Sequence, residues 1–195
     1  MSGLDRDAYL WVTDHRVGWL DPFFLALTAV GYAGLLWVGL AVVLALLRRR
    51  SPLPVVLAVG ATVWSVDVLV GILKEAIERP RPFRSIPEAD PLTTFTVGYA
   101  FPSGHAATSF AGAIMLSVFF RGALPWLVVL AAGVAYSRVY VGVHYPGDVL
   151  AGAALGAVWA LGWLAVVRML RPRLAALRER SLFRRRPRAY SDGAP

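Results

Sequence analysis

Three short polar motifs interrupt a chain that is otherwise strongly apolar. In order they read Lys74-x6-Arg81-Pro82, Pro102-Ser103-Gly104-His105 and Ser137-Arg138-x5-His144-x3-Asp148. Together they supply three fixed cations, two imidazoles and one carboxylate. Lys74, Arg81 and Arg138 could hold the oxygens of a phosphate. Ser103 and Gly104 open an apolar run after Pro102, where a helix N-terminus presents unpaired N–H groups and the positive end of its dipole to an anion. Gly104 lets a phosphate come close to the backbone; the simpler role for the Ser103 hydroxyl is a helix cap. His144 and Asp148 stand four residues apart, so the carboxylate can hold one imidazole nitrogen and leave the other free. An oriented neutral imidazole is a competent nucleophile toward phosphorus.

These motifs need a scaffold, and the composition names its class. The 195 residues are 57% hydrophobic and 16% charged, with a mean hydropathy of +0.59. That is too apolar for a water-soluble globule of this length. The apolar residues gather in runs long enough to cross about 30 Å of hydrocarbon. The expectation is an all-α integral membrane bundle of about five transmembrane helices with an interfacial amphipathic helix at the N-terminus. The spans run from about Phe23 to Leu47, Leu53 to Ile77, Pro102 to Phe120, Leu124 to Val141 and Gly147 to Met169. Pro102, Pro125 and Pro146 fall near helix starts, where a missing N–H costs little. In residues 4–20, Leu4, Ala8, Trp11, Val12 and Trp19 alternate with Asp5, Asp7, Asp14 and Arg16. This pattern suits a helix lying in the interface with its tryptophans at headgroup depth. The domain division is therefore 1–21 interfacial helix, 22–170 transmembrane domain and 171–195 basic tail. The first residues lack a basic segment leading into an apolar core, so no cleaved signal peptide is expected, and the first span serves as the insertion signal.

Charge sets the orientation. Arg48, Arg49 and Arg50 follow the first span, Arg121 follows the third, and nine arginines from Arg168 onward face only Glu179 and Asp192. Excess arginine marks cytoplasmic loops, which puts the C-terminus inside a plasma membrane and all three motifs on the extracytoplasmic face. The tail reads as a disordered stop-transfer segment against anionic lipid. Its arginines lack the motif context of a nucleic-acid binder, so no nucleic-acid partner is expected. With no cysteine and no carboxylate cluster suited to a dinuclear centre, neither a metal nor a cofactor is expected.

Arg138 lies inside an apolar span, where an arginine must pair or line a wet cavity. Lys74 alone would read as a snorkelling residue. Asp67, seven residues before Lys74, shares its helix face; it either supports the cations or bonds across the bundle to Ser137 or Tyr136. The glycines at 31, 34, 112, 133, 142, 152, 156 and 162 read as close helix packing.

All three motifs, in this order and on one membrane face, resemble the signature of the type 2 phosphatidic acid phosphatase family, which also includes the vanadium haloperoxidases. Every signature position matches: Lys74, Arg81 and Pro82; Pro102, Ser103, Gly104 and His105; Ser137, Arg138, His144 and Asp148. The resemblance implies a phosphatase in which His144 attacks phosphorus and Asp148 holds its ring. It further implies that His105 protonates the departing oxygen, while Lys74, Arg81, Arg138 and the N–H groups around Ser103 and Gly104 bind the phosphoryl oxygens. The substrate implied is a lipid phosphate or diphosphate, resembling either undecaprenyl diphosphate or phosphatidate and phosphatidylglycerophosphate. A phosphotransferase of the same family, or a non-enzymatic transporter with an anion site, are the alternatives; oligomeric state is left open. The orientation is directly testable. A reporter fused after Arg188 should read cytoplasmic, and a periplasmic signal would reverse the assignment.

Overall fold

The structure, a computed structural model, describes residues 3–184. Its elements are α1 (Gly3–Asp14), α2 (Asp21–Val30), α3 (Leu35–Leu47), α4 (Pro52–Ile77), α5 (Pro82–Ser85), α6 (Gly104–Phe119), α7 (Leu124–Tyr140) and α8 (Pro146–Arg184), with single 3-10 turns at Gly18–Leu20, Tyr32–Gly34 and Arg121–Ala123. The described residues are helical or irregular, as the composition requires of a chain that must satisfy its backbone inside lipid. The described residues up to Leu161 form one compact unit and those from Gly162 a second.

The first unit is built around α6. This helix buries Ala106, Ala107, Ala111, Gly112 and Ala113, small side chains that let α3, α4, α7 and the start of α8 approach closely. A Cβ at Gly152 would lie 2.4 Å from the Ser103 carbonyl oxygen, and one at Gly156 2.0 Å from that of Ala107. These two glycines, four apart on one face of α8, seat it directly on the α6 backbone. Gly112 gives the same freedom to the buried Trp37, whose indole donates to Ser109 Oγ at 3.2 Å. Gly162, by contrast, has open space around it and takes no part in such packing. The distribution of side chains is inside-out for a soluble protein. Val68 and Ile72 are 65% and 62% exposed, while Arg81, Arg138, His144 and Asp148 are buried. Lipid is the solvent such a surface requires.

The span count differs from the sequence expectation. Among the described residues, three segments are long and apolar enough to cross a bilayer: Pro52–Ser85, Arg121–Tyr140 and Pro146–Met169. The first expected span is broken. Gly34 adopts a left-handed backbone at φ +70°, and α2 and α3 meet at 81°, so the pair makes at most one bent crossing. The third is a 16-residue helix of about 24 Å, shorter than the hydrocarbon core, and it is largely enclosed by its neighbours. The tail also differs. Residues 171–184 belong to α8, where low hydrophobicity suggested disorder; Leu174, Ala175, Ala176 and Leu177 are strong helix formers. The remainder of the expected tail, 185–195, lies outside the described residues, as does the Arg188 reporter position.

The α8–α6 seam carries a clear consequence. Gly156→Val should cost at least about 2 kcal/mol through overpacking, read as a lower melting temperature in detergent. Gly39→Val on α3, which faces open space, should leave the melting temperature nearly unchanged. Equal tolerance at both positions would contradict the packing described.

Candidate active site

The first motif sits where α4 must stop. Glu78 takes a left-handed conformation and its N–H bonds the Lys74 carbonyl at 2.9 Å. The Arg79-Pro80-Arg81-Pro82 run cannot extend a helix, because each proline lacks a donor and disfavours α backbone before it. Arg81 is accordingly extended, at φ −72° and ψ 156°. Its guanidinium turns inward and is 2% exposed. Nε donates to the Gly98 carbonyl at 3.0 Å, Nη2 to Val97 at 2.8 Å and Nη1 to Val143 at 3.0 Å. The loop between α5 and α6 is thus wrapped onto the arginine. Two backbone bonds pin it further, from Ala100 N–H to the Arg79 carbonyl at 2.8 Å and from Leu92 N–H to Val141 at 3.0 Å.

The second motif opens α6. Ser103 is its N-cap in extended conformation but does not cap with its side chain. The hydroxyl is buried and makes no hydrogen bond among the described residues. The Ser103 N–H donates to the Asp148 carbonyl at 3.0 Å. This corrects one expectation: that N–H ties α6 to α8 and is not available to an anion. The first-turn N–H groups from Gly104 onward have no intrahelical acceptor and keep the anion-binding capacity. Asp67 Oδ1 lies against the Gly104 position and within electrostatic reach of Lys74. The cross-bundle alternative fails for Ser137, which donates to its own helix at the Val134 carbonyl, 2.6 Å away.

The third motif ends α7 and begins α8. Gly142, at φ +84°, turns the chain so that His144 points back into the bundle. His144 Nδ1 is 3.4 Å from Asp148 Oδ2, and its Nε2 is 3.2 Å from Arg81 Nη1. Since a guanidinium only donates, Nε2 must carry the lone pair and Nδ1 the proton. Burial and the neighbouring Arg138, Arg81 and Lys74 charges hold the His144 imidazole well below its ordinary pKa, so the ring is neutral. Asp148 also accepts the Tyr145 N–H at 2.9 Å and Arg79 Nη1 at 2.5 Å.

His105 and Arg138 meet α2. His105 Nε2 donates to the Thr28 carbonyl at 3.1 Å, and Arg138 Nη1 bonds the Thr28 hydroxyl. The broken first span makes this possible. Thr28 lies in the last turn of α2, where carbonyls have no intrahelical donor, and Gly31 admits the His105 ring at a Cβ-position distance of 3.2 Å. Arg138 Nε remains buried without a hydrogen bond among the described residues.

The structure therefore gathers Lys74, Arg81, Ser103, Gly104, His105, Arg138, His144 and Asp148 around one buried cluster, with Lys74, Arg138 and the two imidazoles in electrostatic reach of one another. Two of its donors, Ser103 Oγ and Arg138 Nε, lack partners, which in a buried cationic cluster suits an anion. Among the described residues no group of three or more His, Asp or Glu side chains is arranged to hold a metal ion. Sequence reasoning missed Arg79, Thr28 and Asp5. Asp5 accepts Arg79 Nη2 at 2.5 Å and the Gly147 N–H at 2.8 Å. The extended Arg-Pro-Arg-Pro run, whose alternate side chains share a direction, was the available signal for Arg79. Neither Asp5 nor Thr28 has a local signature.

Comparison with known proteins agrees with this geometry. The model of the PAP2 superfamily matches residues 51–172. The chain is 33% identical to a bacitracin transport permease protein, BcrC, of Bacillus licheniformis over 82% of its length and 79% of the relative. It is 28% identical to an undecaprenyl-diphosphatase of Sulfolobus acidocaldarius over 79% of its length and 74% of the relative. The crystal structure of a transmembrane PAP2 type phosphatidylglycerolphosphate phosphatase from Bacillus subtilis superposes with a TM-score of 0.67 at 25% identity, covering 86% of each chain. With the family model spanning all three motifs and the same bundle found in a solved relative, this chain belongs to the PAP2 superfamily and is a multi-pass membrane phosphatase.

Proposed function

We propose that the protein hydrolyses a lipid phosphate or diphosphate at the extracytoplasmic membrane face through a phosphohistidine on His144. The observation that carries this reading is the assigned tautomer. Nδ1–H faces Asp148 and the Nε2 lone pair faces Arg81, so the free nitrogen points to where a bound phosphoryl group would be gripped. In the first step, Nε2 forms a bond to phosphorus and the P–O bond to the leaving group breaks. Arg81, Arg138, Lys74 and the α6 N-terminus stabilise the charge that builds on the phosphoryl oxygens. As the imidazolium, His105 gives one proton to the leaving oxygen and becomes the neutral ring. Having lost it, the ring acts as base toward the water that cleaves the P–N bond. Fixed cations supply the charge neutralisation that Mg²⁺ provides in other phosphoryl-transfer enzymes.

A polyprenyl diphosphate such as undecaprenyl diphosphate is the favoured substrate. The similarity to an undecaprenyl-diphosphatase supports it, and the exposed apolar flanks of the bundle suit a substrate presented from lipid. The structural likeness to a phosphatidylglycerolphosphate phosphatase supports a glycerophospholipid as the second reading. The arginine-rich loops Arg48–Arg50 and Arg121 support a site outside the cytoplasm.

Phosphate release from undecaprenyl diphosphate and from phosphatidate in detergent, without added metal, tests the reading. His144→Ala should reduce release on the order of 1,000-fold or more; near-normal activity would remove His144 from the chemistry. The same assay across pH has a defined sign. Protonation destroys the nucleophile, and His144 is held below the ordinary imidazole value, so the acid limb of kcat/KM should lie below about pH 6.5. A limb well above that value would contradict a neutral buried His144.

A further inference from the structure

The α1 helix reads from sequence as an interfacial anchor, yet its inner face reaches the catalytic cluster. Leu4 and Trp11 point outward, 82% and 63% exposed. On the opposite side Tyr9 is fully buried; its hydroxyl donates to the Gly142 carbonyl at 3.2 Å and its ring packs 5.8 Å from that of Tyr145. One turn earlier, Asp5 sits over the start of α8. Its Oδ1 accepts the Gly147 N–H at 2.8 Å, and a Cβ at Gly147 would come within 2.9 Å of that carboxylate. Only glycine admits it.

Between Asp5 and Asp148 lies Arg79. Nη1 meets Asp148 Oδ1 and Nη2 meets Asp5 Oδ2, both at 2.5 Å, and the guanidinium carbon lies 4.1 Å from the Tyr145 ring centroid. Arg79 is 19% exposed, Asp5 13% and Asp148 fully enclosed. One cation is thus shared between two carboxylates, only one of which touches His144. The sharing has a direct electrostatic meaning. Paired with Arg79 alone, Asp148 would give most of its charge to the guanidinium. Asp5 takes part of that cation, so Asp148 keeps charge for His144 Nδ1–H and for the positive ring that develops as Nε2 bonds phosphorus.

We propose that Asp5 and Arg79 are positioning residues for the phosphoryl-transfer step, forming a relay by which the N-terminal helix orients Asp148 and sets how strongly it supports His144. The relay rests on the reading of His144 as nucleophile. Neither residue touches the reacting phosphorus; both act through Asp148. The charged and titratable groups around His144 and Asp148 are Arg79 and Arg81 from the α4–α5 connection, Lys74 from α4, His105 from α6, Arg138 from α7, Asp5 from α1 and the Tyr145 phenol.

The test compares Asp5→Asn and Arg79→Gln in the full-length protein, with kcat, KM and the acid limb of kcat/KM measured on undecaprenyl diphosphate. Arg79→Gln removes a positive charge and leaves Asp148 unshared, which favours protonated His144, so the acid limb should move up. Asp5→Asn removes a negative charge and lets Arg79 neutralise Asp148 more fully, so the limb should move down. Each displacement should be on the order of one pH unit. In both variants kcat should fall roughly 10- to 100-fold with KM changed far less. Arg79→Lys should recover part of the loss, and Arg6→Ala, at the surface pair with Glu88, should match the wild type. If Arg79→Gln does not accumulate folded, Asp5→Asn and Arg79→Lys carry the test through the downward shift and the partial loss. Limbs that stay in place or move in the same direction would overturn the relay, even with His144→Ala inactive. An active His144→Ala would instead remove the nucleophile reading on which the relay depends.

Discussion

Concentrated positive charge inside an apolar bundle is the constraint around which this molecule is organised. Lys74, Arg81 and Arg138 converge on the His144 ring in surroundings where an unpaired ion is very costly. The fold answers with backbone carbonyls. Gly98, Val97 and Val143 surround Arg81, and Thr28 serves Arg138 and His105 with two different oxygens. Each carbonyl is available because it lies in a loop or in the last turn of a helix. Chain breaks that would weaken a simple membrane bundle, at Glu78, Gly34 and Gly142, are what turn donors and acceptors toward the cluster. The same charge keeps His144 neutral.

The anion site and the helix packing are one arrangement. Gly152 and Gly156 bring α8 against the α6 backbone, which allows the Ser103 N–H to bond the Asp148 carbonyl. Asp148 is thereby fixed from its backbone by α6 and from its side chain by Tyr145 N–H and Arg79. The α6 N-terminus, the carboxylate and the imidazole are held in register without a long connecting network. Membership in the PAP2 superfamily accounts for the three motifs; the α1 contacts show how this chain closes the far side of the site.

Much of this was legible in the sequence because the motif residues lie at helix ends whose signals are local. Pro80 and Pro82 end α4 just after Lys74, Pro102 and Gly104 mark the start of α6, and Pro146 that of α8. Membrane-length hydrophobicity identified the class. The bend between α2 and α3 was not legible, since the apolar run from Phe23 to Leu47 continues through Gly31 and Gly34 and glycine is common in continuous membrane helices. Thr28, within that run, carries no local mark of the role it takes at the bend. Asp5 was hidden by distance, 142 residues from its partner Gly147, within a helix whose charges suited water equally well. Arg79 lies two residues before the motif arginine, in the Arg-Pro-Arg-Pro run, but outside the motif itself. Its pairing with Asp148 depends on the tertiary return of α8.

Covalent phosphate on His144 is the most direct test of the account. The full-length protein would be mixed with undecaprenyl diphosphate labelled in its terminal phosphate, quenched in alkali during turnover and mapped by peptide mass spectrometry. The account predicts an acid-labile, alkali-stable phosphate on the peptide carrying His144, absent when His144→Ala is added. Label on another residue, or turnover without any trapped phosphoenzyme, would contradict it.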